Sequence, residues 1–132
     1  MNAPCPATEN HPSILIVDTN GTVASRLAGR LAARGFPADV ITSYSAASAV
    51  APARSYGTVV LIGDFRRISE VQALIRLRHR LPRTWIVAVS KGSPTDELAA
   101  TLRYFSDALI TPPSTDELVS CLSAFSLRSR PL

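Results

Sequence analysis

Lysine is nearly absent from this chain: Lys91 is the only one among 14 lysines and arginines. The net charge is +4, but the arginines are spread along the sequence and the longest basic run is the pair Arg66-Arg67. Charge of this kind predicts solvated helix faces and makes nucleic acid an unlikely partner class. Cysteine is scarce too. Cys5 and Cys121 have neither metal-ligand spacing nor a CxxC arrangement, so reduced thiols are expected. The two histidines, His11 and His79, stand apart from any Cys, Asp or Ser constellation, and no GxSxG, Walker or GxGxxG motif occurs. Catalysis is therefore not expected. No apolar run approaches the ~20 residues that span a bilayer. Residues 1–12 lack the basic start and apolar stretch of a secretory signal. A cytoplasmic protein without a membrane segment is expected.

What the chain does contain suits one globular domain. Its 132 residues are 46% hydrophobic and 18% charged, enough for one core and too few for two. Short β-branched runs alternate with helical patterns. Strands are expected at 13–17, 38–42, 58–62, 85–89 and 108–110. Asn20 or Thr22 can cap the first helix, which places Val23, Leu27 and Leu31 on one stripe and ends at Gly35 with Phe36 beyond. An Ala/Ser-rich helix is expected over 45–53. The third, over 68–81, carries Ile68, Val71, Leu74, Ile75 and Leu81, and Pro82 blocks its continuation. Ser93 and Pro94 read as the cap and first position of the fourth helix, whose stripe is Leu98, Leu102 and Phe105. Ser114-Thr115-Asp116-Glu117 reads as a capping box before Leu118, Leu122 and Phe125. Five successive βα units imply a parallel five-stranded sheet with helices on both faces, a doubly wound α/β three-layer sandwich. Loose tails are expected at 1–12 and 126–132, around a domain at 13–125. Ligands of such folds gather at the carboxyl ends of the strands.

Two segments carry a family resemblance. Ile14-Leu15-Ile16-Val17-Asp18 looks like the first strand and acidic end of a CheY-like response-regulator receiver, and Asp107-Ala108-Leu109-Ile110-Thr111-Pro112-Pro113 looks like its fifth strand. Arg26 to Phe36 is similar to the first helix of alpha-proteobacterial redox-type response regulators. The resemblance implies a flavodoxin-like (βα)5 fold and a role in two-component signalling. It also implies positions for the chemistry. Two acids normally follow the first strand, at Asp18 and Thr19 here. The phosphoacceptor aspartate falls on Ile62, the switch hydroxyl on Ser90, and the lysine that pairs with the phosphoryl group on Pro112. Leu109 stands for the rotating aromatic residue, and Pro113 for the proline whose preceding bond is usually cis. The degenerate set implies a pseudo-receiver: no cofactor, with Asp18 and Asp64 as weak candidates for Mg²⁺. Lys91 either pairs with Asp18 or Asp64 in place of metal, or is a solvated lysine on its loop.

Under this reading the chain is a phosphorylation-independent protein interaction module. Its partner is a histidine kinase, another regulator or a second copy of itself. The family's common docking face, from helix four through strand five to helix five, implies Leu98, Leu102, Arg103, Tyr104 and residues 115–123. Two other readings stay open. A shifted register makes Asp64 the acceptor of a competent receiver using Mg²⁺. Alternatively, Asp18-Thr19-Asn20-Gly21-Thr22 resembles the phosphate loop of an FMN-binding flavodoxin, although Phe65 is the only aromatic residue on the neighbouring loops.

Overall fold

Valine, isoleucine and leucine dominate the strands, and in the central three both faces are buried. In the computed structural model, which describes residues 13–54 and 56–126, these are β1 (Ile14–Val17), β3 (Thr58–Gly63) and β4 (Trp85–Ser90). The edge strands β2 (Ala38–Ile41) and β5 (Ala108–Ile110) are only partly covered. All pairings are parallel, in the order β2-β1-β3-β4-β5. Continuous apolar runs of this kind are what a sheet needs when helices cover both sides. Of the expected tails, residues 1–12, with Cys5 and His11, and residues 127–132 lie outside the described residues.

The two-residue period of the strands sorts the core into two halves. Leu15, Val17, Val59, Leu61, Ile86 and Ala88 face α2 (Tyr44–Arg54), α3 (Ile68–Arg80) and α4 (Asp96–Phe105). Ile14, Ile16, Val60, Ile62, Val87 and Val89 face α1 (Gly21–Ala33) and α5 (Thr115–Ser126). The result is the expected doubly wound three-layer sandwich.

Local chemistry sets the helix ends. Asn20, not Thr22, caps α1: its Oδ1 accepts from the Thr22 and Val23 amides at 3.1 and 3.3 Å. Gly35, at φ 90°, turns the chain out of α1. The Phe36 amide then reaches back to the Leu31 carbonyl, and the Gly35 amide to Ala32, closing a Schellman motif. Three expectations need correction. Thr95, not Ser93, caps α4: it is extended, at φ −64° and ψ 163°, and its Oγ1 accepts from the Leu98 amide. Ile68 is not on the buried stripe of α3 but 75% exposed, because Phe65 turns inward and fills the adjoining core. Helix α5 runs through Ser126, one residue past the expected boundary.

One side chain fastens the amino end of the sheet. Arg78 Nη1 donates to Asp107 Oδ2 at 3.0 Å, while Nη2 donates to the Leu81 and Thr84 carbonyls at 2.7 and 2.8 Å. Asp107 Oδ2 also accepts from the Ile86 amide. The last turn of α3, the turn before β4 and the turn before β5 are thereby held at one point. Among the described residues, no helix is long and apolar enough to cross a membrane.

Candidate functional site at the carboxyl ends of the strands

The alternation that buries Ile14 and Ile16 carries on to Asp18, the first residue past β1. Asp18 is fully buried, and its amide donates to the Ile41 carbonyl. Its Oδ1 accepts from the Asn20 amide at 3.1 Å and from Lys91 Nζ at 3.2 Å. Its Oδ2 is buried and has no hydrogen-bond partner. Thr19, the position implied for a second acid, is exposed. Lys91 is the first residue after β4. Its amide donates to the Gly63 carbonyl at 3.0 Å, which brings the root of its side chain to the ends of β3 and β4 and lets the ammonium reach Asp18. Of the alternatives for Lys91, the structure shows the ion pair with Asp18.

A second group gathers at the end of β3. Ile62, implied as the acceptor position, is buried in the α1/α5 half of the core, and it is the next residue, Gly63, that pairs with Ser90. Neither side chain offers an oxygen. A Cβ on Gly63 would lie 2.9 Å from the Tyr44 hydroxyl and 3.3 Å from Glu70 Oε2, so Tyr44 fills the space in front of this glycine. The Tyr44 hydroxyl donates to the Ile62 carbonyl at 2.9 Å and lies 3.5 Å from Glu70 Oε2. Burial pushes the Tyr44 phenol above its ordinary value, and the negative charges of Glu70, Asp18 and Asp64 push it further. Glu70 Oε1 accepts from the Phe65 amide at 2.8 Å. That contact braces Phe65 at φ 60°, a left-handed backbone that a bulky residue rarely adopts. Asp64 is exposed on the same turn.

The third group closes the far side. Ser90 is fully buried, and its hydroxyl donates to the Gly92 carbonyl at 2.7 Å. Thr111 Oγ1 donates to the same carbonyl at 3.0 Å. Because Val89 pairs with Ile110, the register carried one residue further sets Ser90 beside Thr111. Thr111, rather than Pro112, is therefore the side chain that β5 delivers to the site, and Pro112 is exposed beyond it. The cis peptide bond is Thr111–Pro112, not the expected Pro112–Pro113.

The Mg²⁺ implied by the receiver resemblance does not fit this donor set. Asp18 already holds a lysine ammonium, the neighbouring position is a neutral threonine, the last two residues of β3, Ile62 and Gly63, carry no carboxylate, and Asp64 beyond them is exposed. Among the described residues, no three His, Cys, Asp or Glu side chains group as metal ligands. Tyr44, Glu70, Gly63 and Thr111 were not singled out by sequence reasoning. The β4–β5 pairing exposes Thr111, whereas nothing local in the sequence marks Tyr44.

The implied docking face divides. Leu102, Leu118 and Leu122 belong to the core. Tyr104 is 80% exposed, edge-on to Phe105; Arg103 on α4 and Asp116, Glu117, Ser120 and Ser123 on α5 are exposed as well.

No protein-family model and no curated protein matches the chain. Solved structures do. An orphan response regulator of H. pylori superposes with a TM-score of 0.70 at 21% identity, covering 84% of this chain and 92% of that one. A CheY-like receiver domain protein from Methanospirillum hungatei gives 0.72 at 17% identity, covering 85% and 90%. The receiver domain of NtrX from Brucella abortus gives 0.71 at 22% identity, covering 84% and 95%. The strand order, the two-sided helical cover and these superpositions agree that the chain has the fold of the CheY-like response-regulator receiver domains.

Proposed function

We propose that this domain acts in bacterial signal transduction as a phosphorylation-independent protein interaction module, a receiver fold that has left receiver chemistry. The observation that carries the reading is the Lys91–Asp18 ion pair, at 3.2 Å with the Asp18 side chain 1% exposed. In phosphoryl transfer, a divalent cation neutralises the charge that builds on the transferred group, and a nucleophile must stand in line with it. Here a tethered ammonium takes the cation's place, and the end of β3 presents isoleucine and glycine. The hydroxyls of Ser90 and Thr111 are both spent on the Gly92 carbonyl. Such a site is arranged to hold one shape. The partner class is protein: a kinase, another regulator or a second copy, meeting the exposed face around Tyr104.

The test is incubation with acetyl phosphate and Mg²⁺ followed by intact mass. The expected mass is unchanged. A gain of one phosphoryl group that disappears in Asp64→Ala would overturn the reading and make Asp64 the acceptor.

A further inference from the structure

We infer that a cleft at the amino ends of the strands, opposite the Asp18 site, binds a small neutral aromatic molecule carrying one polar group, of the size of a phenol. The first residues of three neighbouring strands form its floor. Ile14 of β1 and Trp85 of β4 each pair with Thr58 of β3, so the three stand in one row across the sheet. Neighbouring strands lie about 4.8 Å apart, which makes the row roughly 10 Å long, enough for one substituted ring. Leu122 and Phe125 of α5, with Phe36 of the turn after α1, help to close a cavity of about 180 Å³ over this floor. An apolar cavity of about 150 Å³ is enough to take up benzene.

The lining selects the ligand. None of the described residues around the cleft is charged, so an ionised molecule would lose its hydration and gain no counter-charge. Three of them are aromatic, and Trp85 and Phe125 already stack, with ring centroids 4.2 Å apart and planes 5° apart. A planar ring gains ring–ring contacts here that a saturated ring of the same size does not. The polar requirement comes from Thr58, which is 7% exposed. The alternation that turns Val60 and Ile62 toward α1 and α5 turns its side chain the same way, into the cleft. Its amide donates to the Ser13 carbonyl, but its hydroxyl forms no hydrogen bond with any described residue. That hydroxyl is left to bond whatever enters, and a phenol hydroxyl can act toward it as donor or acceptor. The inference does not depend on the interaction-module reading. Mass scores phosphoryl transfer, whereas amide shifts score binding at the other end of the sheet.

The probe is phenol, titrated into the ¹⁵N-labelled full chain. Toluene matches its size without the hydroxyl, and cyclohexanol matches it without the aromatic ring. Shifts centred on Phe36, Thr58, Trp85 and Leu122 are expected, saturating below about 20 mM phenol. The indole N–H of Trp85, the only tryptophan, gives a separate resolved signal in the cleft. Cyclohexanol should bind about threefold more weakly than phenol. Thr58→Val should lower the ratio of phenol to toluene affinity about fivefold, the worth of one hydrogen bond. The change removes a hydroxyl that has no partner, so a urea midpoint no lower than wild type checks that the fold is intact. Shifts centred on other residues, no saturation by about 20 mM phenol, cyclohexanol binding as tightly as phenol, or an unchanged affinity ratio in Thr58→Val would each overturn the inference.

Discussion

Lys91 is the sole lysine, and its charge neutralises a buried carboxylate. Removing one partner of a buried pair leaves the other uncompensated, at a cost of about 3 kcal/mol. Lys91→Met should lower the urea-unfolding free energy by roughly that amount. In an Asp18→Asn background the same change should cost much less, because no charge is stranded; equal costs in both backgrounds would show that the pair is not coupled. Gly63 gives a second cycle. Gly63→Ala pushes a methyl group against the Tyr44 hydroxyl, an overpacking cost of about 1–3 kcal/mol. Tyr44→Phe should relieve part of it, measured as the coupling between the two changes. Tyr44 also predicts a pH response. Its folded pKa is raised above 10.0, so its contribution is fully present below that pH and is lost as pH rises above it, where the unfolded phenol ionises and the folded one resists. Wild type should lose stability in the alkaline range faster than Tyr44→Phe, as read from urea midpoints at successive pH values.

At the scale of elements, hydrophobic period and punctuation made most of the fold legible. The three central strands are buried runs bounded by Gly, Pro or Asp, and the Gly35–Phe36 exit from α1 follows its local signature. What escaped is decided across space. A serine followed by proline reads as a cap until Thr95 takes the extended backbone and the amide of Leu98. Ile68 fits the period of α3, but Phe65 already fills the neighbouring core. Of the residues at the carboxyl ends of the strands, Asp18, Thr19, Ile62 and Ser90 could be counted from the strands. Tyr44, which comes from another helix, and Thr111, which emerges only from the pairing of β5 with β4, could not. The Arg78 clamp likewise joins segments far apart in sequence. Arg78→Met keeps the apolar stem but removes the donors to Asp107 and to the Leu81 and Thr84 carbonyls, so a loss of about 3 kcal/mol is expected by urea denaturation. Arg78→Lys should recover only part of it, because one ammonium cannot reproduce the planar fork.

For the whole molecule, the expectation is a single conformational state. Amide spectra recorded with and without beryllofluoride and Mg²⁺ should superimpose; shifts spreading through α4 and β5 would reveal a surviving two-state switch. Restoring the chemistry should take several changes at once: Thr19→Asp, an aspartate at the end of β3 and a lysine at the end of β5. These groups act as a unit, so Ile62→Asp alone should leave acetyl phosphate without effect on mass. The ion pair of Lys91 with Asp18 has a wider consequence. A counter-ion built into the chain cannot be chelated, diluted or outcompeted. If the interaction-module reading proposed above holds, the binding shape comes with the folded protein itself, and output should scale with copy number: below the dissociation constant for a partner, twice as much protein should give twice as much complex.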